Sequence, residues 1–327
     1  MRIWLLALAA IVALAMPSRA QTYPDRVVKI IVDSPAGSAT DITARLMAER
    51  LSQIWHQPVV IDNRPGAGGA IAARAASQAE PDGYTLYVGA ASVFTAIKGG
   101  PGVAPNLPII LPRDFAPIGF MTLQPVFIAV APSLGVGSLP ELIARAKQKP
   151  GEISYATTGR GRITHLTMVL LQSRAGINMQ MIPYTGGPHA AMADLATGRV
   201  GVIAEGYLGL VEGLTGGSIK AIAVASEERL TNFKDEATVA ETLPGFLSGG
   251  WNVLLAPVGT PPGIVDKVSA DLRKALDDAE LKSKLAAIGA YLHPMTPAEV
   301  TAFAQEQQRI WQPVAEQIAA QSAEGEK

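Results

Sequence analysis

Compact apolar runs alternate with stretches of helical period along most of this chain. Residues 27–32 predict a strand. Ile42, Leu46, Leu51 and Ile54 at helical spacing predict a helix over 40–55, with Thr40 or Asp41 as its cap. Strands at 58–61 and 84–88 bracket a Gly-rich loop at 63–69, a small-residue helix at 70–79 and a Pro81-Asp82-Gly83 turn. This β-α-β-α-β rhythm implies a parallel sheet covered by helices. Gly and Pro punctuate 98–112, which reads as an excursion over the surface.

Two strands follow, 116–121 and 126–130, separated by Gln124-Pro125. A second alternating block then predicts helices at 139–147, 163–174 and 188–196, and strands at 153–156, 179–182, 200–204 and 219–224. Beyond Gly249-Gly250-Trp251 there is one apolar run, 253–256, and then helical patterns at 265–276, 281–288 and 298–318. The simplest assembly returns this tail to the first block. One lobe then comprises 21–124 plus 252–327, the other 125–251, and the chain crosses between them near Gln124 and Gly250. Two crossings make a hinge, and a hinge over a cleft traps a ligand. The fold class is therefore α/β, with two Rossmann-like lobes joined by two crossing segments around a ligand cleft.

Two small-residue turns carry the chemistry. Ser34, Pro35, Ala36, Gly37, Ser38, Ala39 and Thr40 follow the first strand and open a helix. Thr158, Gly159, Arg160, Gly161, Arg162 and Thr164 do the same after 153–156. A strand feeding such a turn and then a helix leaves backbone N–H groups unpaired at the positive end of a helix dipole. Two of them suggest a cleft whose halves grip one anion. Asp41, at a helix start, reads as a cap for backbone N–H groups and not as a catalytic acid.

Several residues near these turns carry two readings. Arg160 and Arg162 either pair with a second carboxylate or point into water. His165, in the first helical turn, either donates to the ligand or braces the loop, and a helix N-terminus favours its neutral form. Glu205 with Tyr207 either accepts from an amine or hydroxyl of the ligand or lies on the solvent rim. Tyr184, before Gly186, is either a cleft wall or a core tyrosine. Ser92, just after the strand at 84–88, completes the candidate set.

Residues 1–20 stand apart. Met1-Arg2 is a positive start, 3–16 carry no charge, and Ser18-Arg19-Ala20 supplies small residues where a signal peptidase reads. This predicts a secretory signal peptide cleaved after Ala20; a span needs about 20 apolar residues. Removing Arg2 and Arg19 leaves 25 basic against 28 acidic residues, a formal charge of −3, without the basic stripe of a nucleic-acid binder. Cysteine is absent, so the exported chain must be held by its core, and it has no lipid-bearing cysteine. Four scattered histidines without metal-ligand spacing argue against a zinc site.

Specific motifs reinforce the cleft reading. Residues 63–69 read NRPGAGG, 81–86 read PDGYTL, and 113–117 read RDFAP. Residues 155–165 fit a YASxGxGxxxHL pattern, 183–187 fit PYKGG, and Trp251 with 256–261 fits W…APAGTP. Pro35, Gly37, Ala39, Thr40 and Asp41 fit the PPGGxxD loop. Over nearly all its mature length the chain resembles the Bug, or TctC-like, solute receptors of tripartite tricarboxylate transporters. The resemblance implies a type II periplasmic binding protein fold, a carboxylate ligand held largely by main-chain N–H groups of loops 34–40 and 157–164, and delivery to an inner-membrane permease. It implies no cofactor and no catalysis. Ser34, Ser38, Arg160, Arg162 and the Glu205-Gly206-Tyr207 stretch depart from the family pattern, and all fall in the presumed cleft.

Two other function classes use the same cleft. A ligand sensor docking on a membrane signalling partner shares the fold, and neighbouring permease or kinase genes would separate the two. A hydrolase would need a Gly-x-Ser-x-Gly elbow, which the sequence lacks, as it lacks a Gly-x4-Gly-Lys phosphate loop and the third glycine of a dinucleotide fingerprint. The expectation is a monomeric periplasmic receptor.

Overall fold

A computed structural model describes residues 23–96, 104–158, 162–184 and 187–325. The proposed signal peptide and its cleavage site lie outside the described residues, as do Gly159, Arg160, Gly161 and Gly186. Strands β1 (Val28–Val32), β2 (Val59–Asn63) and β3 (Thr85–Ala90) pair in parallel, in the order β2-β1-β3. Helices α1 (Ala39–Trp55), α2 (Ala70–Ser77) and α3 (Ala91–Thr95) follow these strands in turn. Both faces of this sheet are covered, so alternate residues enter different cores. Ile30, Val32, Leu86 and Val88 pack with α1, while Ile31 and Tyr87 pack with α2 and α3.

The crossing segments are two long strands. β4 (Phe115–Val130) pairs antiparallel with β9 (Gly249–Pro257), and the register sets Gln124 opposite Gly250 and Pro125 opposite Gly249. The sequence predicts two strands broken at Gln124-Pro125. The structure joins them into one, because β9 pairs as far as Pro125, β7 and β8 take up the pairing from Val126 and Phe127 onward, and register shifts elsewhere absorb the twist. β9 also pairs with β3, which makes the sheet mixed.

The far half of β4 belongs to a second core. There it pairs antiparallel with β7 (Val202–Gly206) and β8 (Lys220–Val224), and β7 continues in parallel into β5 (Ser154–Thr157) and β6 (Gln180–Pro183). Helices α4 (Leu139–Gln148), α5 (Ile163–Ala175), α6 (His189–Ala196) and α7 (Tyr207–Thr215) belong to this block. Val126, Ile128 and Val130 face one core; Phe127 and Ala129 face the other. The tail returns to the first block as α8 (Pro262–Leu276), α9 (Ala279–Ala287), β10 (Tyr291–Leu292, antiparallel to β4) and α10 (Pro297–Gly325). Val268, Leu272 and Leu276 of α8 join the α1 core.

Three expectations need correction. The buried stripe of α1 is Ala44, Met47, Ala48, Leu51 and Trp55, rotated from the predicted face; Leu46 and Ile54 are only half-buried. Alanines at 44 and 48 let the helix lie close to the sheet. Residues 104–112 form no regular element, but Leu107, Ile109 and Leu111 are buried, so this stretch is core lining and not a surface excursion. The cap of α1 is Ser38, whose side chain accepts from the Asp41 amide; neither Thr40 nor Asp41 occupies that position.

Asp41 instead closes the turn from inside the helix. Its carboxylate accepts from the Gly37 amide at 2.8 Å, Arg45 Nε at 3.0 Å and Asn63 Nδ2 at 2.8 Å. Burial pushes this carboxyl up, but Arg45, the Gly37 amide and Asn63 outweigh it and hold it below the usual range. A carboxyl depressed in the folded state stabilises the fold above its unfolded pKa, and that stability fades as pH falls through the folded value. Asp41→Ala should therefore cost about 1–3 kcal/mol at pH 7. The gap from the parent, read from urea midpoints between pH 7 and 3, should narrow toward the acid end.

Gly249 sits where the two crossing strands touch. A Cβ there would lie 2.6 Å from the Gln124 carbonyl oxygen and 3.0 Å from Pro125 Cα, both backbone atoms that cannot swing aside. At Gly250 the nearest atom would be the Gln124 side-chain oxygen at 3.5 Å. Gly249→Ala should lower stability by about 1–3 kcal/mol, and Gly250→Ala by far less. Equal losses in urea denaturation would contradict this placement.

Candidate functional site

The C-terminal ends of β1 and β5 face one cleft, and the helices that follow them point their N-termini into it. The cleft has two connected chambers of about 440 and about 500 Å³. Gln124, Arg162 and Ile163 line both, so they stand at the junction. Each chamber is in the range of a small-molecule site, about 300–1,000 Å³.

The amides at the two helix starts divide cleanly. Gly37 N–H is taken by Asp41, and Ser38 N–H by the Pro35 carbonyl at 3.2 Å. Those of Ala39 and Thr40 have no partner among the described residues, and both residues line the cleft. At α5 the position before the helix is Arg162, which offers no side-chain cap, so the Ile163 and Thr164 amides are open in the same way. Thr164 Oγ1 meets the hydroxyls of Thr157 at 3.3 Å and Thr158 at 3.4 Å, fixing the end of β5 to the start of α5. Two positive helix ends thus face one space from opposite blocks.

Of the sequence-derived candidates, Ser34, Ser38, Ala39, Thr40, Ser92, Thr158, Arg162, Thr164, Glu205 and Tyr207 line the chambers. Four others do not. Ala36 and Gly37 sit on the exposed tip of the first turn, with the Gly37 amide already bonded. His165 is buried at the base of α5. Tyr184 donates to Asp194 at 2.6 Å and packs on the second core; burial and that carboxylate push its hydroxyl up to about 12.

The structure adds residues that the two turns do not mark. Asp33, at the end of β1, is buried on the chamber wall and accepts from the Ala90 amide at 2.9 Å, Ser34 Oγ at 2.9 Å and the Tyr87 hydroxyl at 3.2 Å. Burial raises its pKa, against the pull of those three donors. A charged residue closing an apolar strand was a readable signal, since such sheets bind ligands beyond the carboxyl ends of their strands. Gln124 and residues 250–252 also line the cleft, which follows from their being the crossing segments. Gly289, from the tail, closes the smaller chamber against Tyr207.

Glu205 ends β7 in the smaller chamber. Burial pushes its carboxyl above the usual range, while the Gly206 amide, Arg162 and the Thr158 hydroxyl pull it down. Among the described residues no group of three or more metal-type ligands is present, and no helix is long and apolar enough to cross a membrane. Open amides, one arginine, the buried Asp33 and the half-buried Glu205 suit reversible binding of a small polar molecule.

Residues 43–320 match the family described as "Tripartite tricarboxylate transporter family receptor". The chain is 34% identical over 304 residues to Protein BugT of Bordetella pertussis, covering 92% of each. Among solved structures it is similar to R. palustris Rpa4515 with adipate, at 30% identity and a TM-score of 0.75, covering 91% of this chain and 98% of that one. It is similar also to MatC (Rpa3494) from Rhodopseudomonas palustris with bound malate, at 30% identity and a TM-score of 0.70, covering 90% and 100%. Two lobes, a mixed sheet spanning both and a cleft at the strand ends are the type II periplasmic binding protein fold. The chain belongs to the receptor family of tripartite tricarboxylate transporters, whose members are periplasmic solute-binding receptors and not enzymes.

Proposed function

We propose that this receptor captures a small carboxylate between its lobes and delivers it to a tripartite tricarboxylate-type permease in the inner membrane. The observation that carries the reading is the pair of open helix starts, Ala39-Thr40 and Ile163-Thr164, lining one cleft from opposite blocks. A carboxylate accepts several N–H bonds at once, and donors left unpaired when the cleft is dehydrated would otherwise be costly. The relatives solved with adipate and malate support the same ligand class. Export by a signal peptide cleaved after Ala20 agrees with the periplasmic site of action of the family.

A thermal-shift screen of the mature protein against mono-, di- and tricarboxylates tests this directly. A cognate acid at 100 times its Kd should stabilise the fold by about 2.7 kcal/mol and raise Tm accordingly. The reading fails if every carboxylate leaves Tm unmoved while an ester or amide is turned over.

A further inference from the structure

From the placement of Glu205 we infer that the guest carries an ammonium group beside its carboxylate, so that the ligand is an amino acid and not a plain diacid. This rests on the carboxylate-receptor reading and names the class within it.

Glu205 lines the smaller chamber together with Thr158, Arg162 and the starts of α1 and α5. One carboxylate oxygen accepts from the Gly206 amide at 2.9 Å, and the Thr158 hydroxyl lies near enough to favour its charged form. An ionised carboxylate offers about four acceptor sites. It therefore keeps acceptor capacity beyond the bond from Gly206. No cation lies within ion-pair distance of it among the described residues. Arg162 acts on it only across a longer gap and borders both chambers, which leaves the guanidinium available to an anionic group at the junction.

The chamber is thus polarised. Positive helix ends and Arg162 favour the guest's carboxylate, and Glu205 repels a second negative group set beside it. A hydroxyl on the guest would satisfy a lone pair but leave the charge of Glu205 uncompensated as the cleft sheds water. An ammonium supplies both the hydrogen bond and the countercharge.

Matched ligand pairs test the inference by calorimetry on the mature protein: succinate against aspartate, glutarate against glutamate, with malate as the hydroxyl control. The expected result is tighter binding of at least one aminated member than of its plain diacid and of malate, by roughly tenfold or more. Glu205→Gln should reverse this, weakening the amino acid at least about tenfold and strengthening the plain diacid as the repulsion is lost. Glu205→Asp, which keeps the charge, should retain the preference, and it guards against a fold defect in the amide variant. Equal or weaker binding of every aminated member, malate matching aspartate, or an undiminished preference in Glu205→Gln would overturn the inference alone. If no carboxylate of either kind binds, the carboxylate reading itself falls, and this inference with it.

Discussion

The backbone contact between β4 and β9 is the constraint from which the rest of the architecture follows. β4 runs through both blocks, and β9 pairs along its first part, from Phe115 opposite Pro257 to Pro125 opposite Gly249. Because Gly249 has no side chain, the two backbones meet closely at the point of crossing. The sheets on either side extend from this shared pair, and their parallel strands β1 and β5 end at the same gap. Helices that follow parallel strands begin at those ends, so the gap collects helix N-termini as a matter of topology. The tail adds further ties between the blocks. Trp311 and Val314 of α10 cluster with Leu166 of α5, and Gly289 abuts the ring of Tyr207. The helix that presents Ile163 and Thr164 to the cleft is therefore braced from behind by the opposite block.

Much of this frame is legible in the sequence, because buried strands and amphipathic helices leave periodic traces. β1, α1, α2, α4, α5 and the tail helices all stand within a few residues of where the pattern puts them. The failures have local causes. Gln124-Pro125 looks like a break, since proline cannot donate to a ladder, but β9 pairs up to it on one side and β7 and β8 resume the pairing just beyond it. α7 is invisible in the pattern because Gly209 and Gly213 dilute its helical signal. At Gly209 the reason is packing: a Cβ would fall 2.8 Å from Glu205 Cγ and 2.9 Å from Pro188 Cγ. The glycine that weakens the prediction is what lets α7 lie beside Glu205.

Candidate-site residues were legible to a different degree. Turn composition locates both helix starts, yet it cannot say which amides remain open, since that depends on side chains folding back. Gly37 looks like the natural donor in the first turn, and its N–H is the one that Asp41 occupies. Asp33 leaves one trace in the sequence, an acidic residue closing an apolar run, but no motif around it marks what it bonds to. Its three donors come from β3, the end of β3 and the adjacent serine, a convergence that only the pairing of β1 with β3 creates.

The charge at the start of α1 raises a further point about how an anion is tolerated there. Asp41 places a carboxylate in the first turn of a helix whose positive end opens on the cleft. Its side chain is turned away from the cleft and bonded to Arg45, Asn63 and Gly37, so its charge is compensated locally by the i,i+4 arginine. The same three bonds hold the turn in the shape that exposes Ala39 and Thr40. The bonded and open amides of this helix end are therefore different ones: the Gly37, Ser38 and Asp41 amides secure the turn, and those of Ala39 and Thr40 between them are left open at the cleft. α5 has no equivalent acid in its first turn, and its leading residue is the cation Arg162. The two walls are consequently unequal. The α1 side offers neutral dipoles from a charge-balanced turn, whereas the α5 side pairs open amides with a full positive charge, set against Glu205 across the same chamber. An anionic head held between them would be drawn toward Arg162, and the atoms bonded to that head would then lie toward Glu205.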